Sequence, residues 1–221
     1  MRPTRPARSR GRGDRERRPL PPLRPPGDDG QARLSFDLYL ARHGETEWSL
    51  TGRHTSSTDV PLTPKGEQNA RDLGHRLRGI QFDAVYSSPM LRALRTAELA
   101  GFAHPEVNPL LKEFDYGRYE GMTTPQIQQS DPDWEVYKDG CPGGETPAHV
   151  YARAQQFVEL AAGRGHGRAI AFAHGHILRA IGVAWIRAPI TFATSFQLDV
   201  ATLNILRDAD RGRVIALWNA P

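Results

Sequence analysis

From residue 36 onward the apolar positions alternate between two spacings, short continuous runs giving way to stretches with a period near 3.6. The runs Phe36–Arg42, Asp83–Ser87 and Arg168–Ala173 are short and bounded by turn or charged residues, which predicts buried strands. After the first run, Ala70, Leu73 and Leu77 fall on one face of a helix that opens at Thr63-Pro64, a capping residue followed by proline at the first helical position. Ser88-Pro89 reads the same way, with Leu91, Leu94 and Ala97 turned inward. Thr146-Pro147 opens a third helix, in which Val150, Ala154, Phe157, Val158 and Ala161 keep the helical period. Strands alternating with helices predict an α/β fold, a three-layer α/β/α sandwich around a mostly parallel central sheet. Ser195 to Leu217 is β-branched and alternating in places, which predicts a closing pair of strands forming an antiparallel edge. Residues 44–62 and 114–145 carry Gly, Thr, Asp, Pro and aromatic residues without sustained period, as expected of loops that wall a site.

Before residue 32 the pattern vanishes. Residues 1–31 are rich in Arg, Pro and Gly and nearly empty of large apolar side chains, so they are expected to form a disordered tail ahead of one domain at 32–221. The formal net charge of +4 belongs to that tail, which holds nine arginines in its first thirty residues, while the remainder is close to neutral. The basic character therefore argues for neither a nucleic-acid nor a membrane partner of the domain. The tail reads as a solvated extension, an over-long start, or a tether for an anionic partner. A single cysteine, Cys141, excludes an internal disulfide, and no run is long and apolar enough to span a membrane, so a soluble cytoplasmic protein is expected. Oligomeric state stays open, a homo-oligomer included.

The first strand ends in Arg42-His43-Gly44-Glu45-Thr46, which sets a cation and a nucleophile at the carboxyl end of a sheet, where open α/β proteins bind ligands. Three later segments add to it: Ser88-Pro89-Met90-Leu91-Arg92, Leu111-Lys112-Glu113, and Ala173-His174-Gly175-His176. Together they supply two arginines, two histidines and a carboxyl, enough for phosphoryl transfer without a metal or other cofactor. Arg42, Arg92 and a protonated His174 would surround a phosphate. His43 would attack phosphorus through one ring nitrogen while the other donates to a carbonyl, and Gly44 would leave room for the close backbone approach. Glu113 would protonate the leaving oxygen and then accept the proton of water, with Asp115 as its rival. A metal centre built from His43, His174 and His176 is the alternative. His54, His75, His104, His149 and His166 read as surface or helix residues, His54 with the option of facing substrate. Arg95 reads as an exposed ion pair with Glu98, and Glu145 as a cap of the following helix. Tyr116, Tyr119, Trp134 and Tyr137 either contact a sugar or pack.

These four motifs, in this order, resemble the histidine phosphatase superfamily, also called phosphoglycerate mutase-like, over about residues 36–218. The resemblance implies the three-layer fold, His43 as a phosphohistidine nucleophile, Arg42, Arg92 and His174 as phosphate ligands, and Glu113 as proton donor and acceptor. Ser49, Thr55 and Gly175 are implied as further phosphate contacts, Ser49 standing where the mutases usually have Asn. Trp48-Ser49, the segment Gly117 to Gly121 and Ala173-His174-Gly175-His176 look most like the sugar-phosphate and broad acid phosphatases. The stretch between Gly121 and Pro142 contains no arginine, and a mutase needs extra cations to retain a bisphosphorylated intermediate. The expected function is therefore metal-independent hydrolysis of small phosphate monoesters, of sugars or carboxylic acids. Cofactor-dependent phosphoglycerate mutase is the first alternative, and a protein phosphohistidine or phosphotyrosine phosphatase the second.

Overall fold

A computed structural model describes residues 36–163, 167–209 and 212–221; the predicted tail and His166 lie outside the described residues. In chain order the elements are β1 (Phe36–Arg42), α1 (Glu47–Leu50), α2 (Pro64–Leu77), β2 (Ala84–Ser87), α3 (Leu91–Leu99), β3 (Glu106–Val107), α4 (Thr124–Gln128) and α5 (Val136–Asp139). They continue with α6 (Pro147–Ala162), β4 (Gly167–Ala173), α7 (Gly175–Trp185), β5 (Leu203–Ala209) and β6 (Gly212–Ala220). The strands form one sheet in the order β3-β2-β4-β1-β5-β6. The first four run parallel, and β5 and β6 close the sheet as an antiparallel edge.

The two-residue strand period builds the layers. In β1, Leu38 and Leu40 face one core with Val150, Phe157, Ile177 and Ile181 of α6 and α7; Tyr39 and Ala41 face the other with Leu73 and Leu77 of α2 and Ala97 of α3. The same split separates Ala169 and Ala171 from Ile170 and Phe172 in β4. The expected α/β/α sandwich is thus present, each sheet face being covered by two helices.

Two of the three proline-marked helix starts hold. Thr63 accepts from the Gly66 N–H and Thr146 from the His149 N–H, each with proline at the start of the helix. The third does not: α3 begins at Leu91, and Met90 stands at the cap position without a side-chain hydrogen bond. The Ser88 hydroxyl is instead 2.7 Å from His174 Nε2. The inward face of α3 also differs from expectation, since Leu91 is 51% exposed while Arg92, Ala93, Thr96 and Ala97 are buried. The two long loop regions contain the short helices α1, α4 and α5, each of four or five residues.

One close approach holds β1 and α2 in place. An ideal Cβ on Gly44 would lie 2.3 Å from the Gly66 carbonyl oxygen, and one on Gly66 would lie 2.1 Å from that of Glu45. Both contacts are with backbone, which cannot swing aside as a side chain would. Gly66→Ala is expected to cost about 1–3 kcal/mol, read as a lower urea midpoint; an unchanged midpoint would mean that the two segments separate freely.

Candidate active site

Register places the site. Arg42 pairs with Ala173, and Ser87 with Phe172, so His43, Ser88 and His174 follow the ends of three neighbouring parallel strands. The His43 N–H donates to the Ala173 carbonyl at 2.9 Å, and the His43 carbonyl accepts from the Ala201 N–H at 3.1 Å. Ala201 holds a left-handed φ of 53° to do so, a conformation that costs roughly 1–2 kcal/mol for a residue with a Cβ.

His43 is 5% exposed, and its Nδ1 lies 2.7 Å from the Gly44 carbonyl oxygen. A carbonyl only accepts, so Nδ1 carries the proton and the lone pair is on Nε2. Burial, then the charges of Arg42 and Arg92, lower the pKa of the ring to about 3, which keeps this lone pair free at neutral and mildly acidic pH. The Gly44 N–H donates to the Thr96 hydroxyl, which in turn donates to the Arg92 carbonyl, tying the His43 loop to α3.

Arg92 and His174, both fully buried, sit behind this ring. Arg92 Nε donates to His174 Nδ1 at 3.1 Å, and its terminal nitrogens donate to the carbonyls of Thr55, Ser56 and Thr58. Because Nδ1 accepts, the His174 proton lies on Nε2 and is donated to Ser88 Oγ. Without phosphate, burial and then the adjacent Arg92 hold the His174 pKa well below the usual histidine value, so the ring is neutral in the free protein. With both ring nitrogens engaged, His174 is also a poor candidate for the alternative metal centre. Among the described residues no three His, Cys, Asp or Glu side chains are arranged to hold a metal ion.

Glu113 is buried against the start of α7. Its Oε1 accepts from the N–H groups of Phe114 and Ile177, and its Oε2 from that of His176. Burial opposes ionisation, but hydrogen bonding from His176 and its backbone outweighs it, and the carboxyl lies well below the usual carboxylate range. The His176 ring, lowered to about 4 by burial and then Arg179, has its Nδ1 2.6 Å from the Tyr116 hydroxyl. Burial keeps that phenol protonated. Asp115, the rival carboxyl, is exposed and accepts from the Gly117 N–H in a tight turn.

A cleft of about 150 Å³ opens over His43. Arg42, His43, Glu113 and Gly175 line it, as do Ser49 and Thr55. Arg42 donates to the Leu198 carbonyl, while its buried Nε has no partner; Gly175 packs beneath the guanidinium, where a Cβ would lie 3.5 Å from Cζ. The Ser49 hydroxyl is engaged in a capping box with Thr46, and the Thr55 hydroxyl donates to the Arg53 carbonyl. Arg92 and His174 are not among the residues that line this cleft, although the His174 ring centroid is 5.2 Å from that of His43.

The cleft also holds residues the sequence did not single out. Arg179 lies one helical turn beyond Gly175, donating Nε to the Gly175 carbonyl and resting over the Tyr137 ring. Arg53 stands over the Trp48 ring. Both line the cleft, so the absence of arginine between Gly121 and Pro142 does not leave it short of cations. His54, read as a surface or helix residue with the option of facing substrate, lines the cleft and is buried against Tyr116, Trp134 and His176. Of the four loop aromatics only Tyr116 lines the cleft; Trp134 and Tyr137 are buried in packing, bonded to the carbonyls of Gly140 and His176, and Tyr119 packs on Trp134. Arg95 pairs with Glu98 and Glu67 near the surface, as expected. Glu145 is no helix cap, pairing instead with Arg153 while Thr146 caps α6.

The chain is similar to known proteins. Residues 38–221 match the histidine phosphatase superfamily, branch 1. An acid phosphatase of Mycobacterium tuberculosis is 45% identical over 171 residues, 76% of this chain and 84% of that protein. Sedoheptulose 1,7-bisphosphatase of Saccharomyces cerevisiae is 33% identical over 184 residues, 69% of this chain and 68% of the enzyme. A solved structure of an open reading frame product from Mycobacterium tuberculosis superposes with a TM-score of 0.81 at 41% identity, covering 84% of this chain and 97% of that one. The strand-end histidine pair, the enclosed carboxylate and this likeness along the whole domain lead to one conclusion: the chain belongs to the histidine phosphatase superfamily and is a phosphatase.

Proposed function

We propose that the chain hydrolyses small phosphate monoesters through a phosphohistidine at His43, without a metal. The observation that carries this is the locked tautomer of His43, with Nδ1–H held by Gly44 and the Nε2 lone pair free beside Arg42 and Glu113. Nε2 attacks phosphorus as the ester oxygen leaves and takes a proton from Glu113. Water then attacks the phosphohistidine, giving its proton to Glu113 and releasing inorganic phosphate and neutral imidazole. Arg42, with its unpartnered Nε, supplies a charge-assisted donor to the equatorial oxygens, and Arg92 adds positive charge from behind. For Glu113 to begin as an acid, the arriving dianion must raise its low pKa, a like-charge effect that burial strengthens.

The substrate class we infer is a monoester with a second anionic group. Arg53 and Arg179 have no ion-pair partner among the described residues and line the same cleft as His43. The bisphosphate substrate named for the yeast relative fits such a pair. The test is phosphate release from a panel of sugar bisphosphates, phosphorylated carboxylic acids and p-nitrophenyl phosphate, run in EDTA. Arg179→Ala is expected to lower kcat/KM about tenfold to a hundredfold for doubly anionic substrates, and to leave p-nitrophenyl phosphate within about threefold. Equal losses on both would refute the second-anion reading, and loss of all activity in EDTA would refute the metal-free one. The mutase alternative draws on the same two arginines, so interconversion of phosphoglycerates belongs in the panel beside phosphate release.

A further inference from the structure

We propose that Glu120 is a positioning residue of this site, acting through the loop at 55–58 to hold Arg92 and, through it, the His174 ring; the inference rests on the phosphatase reading above. Arg92 is a fully buried cation with no carboxylate bonded to it, its acceptors being three loop carbonyls and one imidazole nitrogen. Such a charge is costly unless something compensates it. Glu120 lies on the opposite side of the same loop. Its carboxylate accepts from the Ser56 N–H at 2.9 and 3.0 Å, from the Ser56 hydroxyl at 2.6 Å and from the Thr58 N–H at 3.0 Å. It makes no ion pair among the described residues, so the loop is its partner.

The peptide unit joining Thr55 and Ser56 shows the device most directly. Its carbonyl accepts from Arg92 Nη2 at 3.1 Å while its N–H donates to Glu120. A peptide dipole is thereby fixed between a cation and an anion, each strengthening the bond on the other side. Burial lowers the Arg92 pKa, and the charges of Glu113, Asp59 and Glu120 oppose that lowering. The next link is Arg92 Nε to His174 Nδ1, which leaves His174 Nε2–H directed at Ser88. The His174 ring centroid is 5.2 Å from that of His43, so slack in the loop is passed to the groups beside the nucleophile. Glu120 itself does not line the cleft over His43 and has no contact with the reacting atoms to offer.

The test compares Glu120→Gln with the full-length wild type, reading kcat and KM on the best ester of the panel and the ¹⁵N signals of the His174 ring. The amide keeps the shape but turns one acceptor into a donor facing loop donors. The expected result is a kcat lowered about tenfold to a hundredfold, a KM within about twofold, and His174 signals shifted away from a pure Nε2–H tautomer. If Glu120→Gln does not fold, Glu120→Asp takes the same readouts, its carboxylate being one methylene too short to span both backbone donors. Wild-type kcat, a change in KM alone, or lost kcat with unchanged His174 signals would each overturn the proposal. A wild type that releases no phosphate would refute the phosphatase reading instead, while the His174 signals would still decide whether Glu120 sets the ring.

Discussion

Replacing His43 with alanine is expected to lower kcat by more than about a thousandfold, with the fold retained. The residue is the end of a strand whose backbone bonds to Ala173 and Ala201 do not depend on its side chain. What is lost is the one imidazole whose tautomer is fixed for attack by a carbonyl that cannot donate. Rapid quenching with a ³²P-labelled ester is expected to give an acid-labile, base-stable adduct on the peptide carrying His43, and none in His43→Ala. Normal turnover by the wild type with no such adduct, or with the label on another residue, would defeat the phosphohistidine mechanism.

Glu113→Gln is expected to lower kcat on alkyl phosphates by about a hundredfold to ten-thousandfold, and the sign of its pH effect follows from the environment of the carboxyl. In the resting protein the group is ionised, held by the N–H groups of His176 and Ile177 at the start of α7 and by that of its neighbour Phe114. Because its pKa lies well below the usual range, the acid form needed for the first step is favoured as pH falls. His43, with a pKa of about 3, remains unprotonated through that same fall. The wild type is therefore expected to work faster in mild acid than at neutrality, and Glu113→Gln to lose that dependence. An aryl ester needs little help in leaving, so p-nitrophenyl phosphate is expected to give the variant a burst of one equivalent followed by slow turnover. A variant with wild-type steady rates on alkyl esters would remove Glu113 from proton transfer and return attention to Asp115.

Much of the scaffold was legible because its causes are local. Continuous apolar runs become β1, β2 and β4, and Thr-Pro pairs at 63–64 and 146–147 start α2 and α6. Ser88-Pro89 carries the same local signature and fails, since the hydroxyl meets a histidine 86 residues away and the helix starts later. The inward face of α3 was misread for a related reason: a buried arginine, paired with loop carbonyls distant in sequence, takes the place an apolar pattern gives to Leu91. In the site, Arg42, His43 and His174 announce themselves through motifs at strand ends, and Glu113 through a loop motif. Arg53 does not, and His54 only as one option, because loop folding alone decides which side chains point inward. Arg179 did leave a signal, standing four residues after Gly175 on the helix that follows the fourth motif, hence on the same face one turn along.

The two facing imidazoles descend from adjacent hydrogen-bonded strands, whereas Arg53, Thr55 and Tyr116 come from the connecting segments above them. Bond breaking and substrate choice are thus entrusted to separately mutable parts. Grafting new sequence into residues 44–62 or 114–145 would retune which ester is welcomed, and the reactive pair would keep its spacing so long as the sheet keeps its register and the contacts around Glu113 and Glu120 survive. Laboratory evolution of new specificity in this scaffold has its natural starting point there.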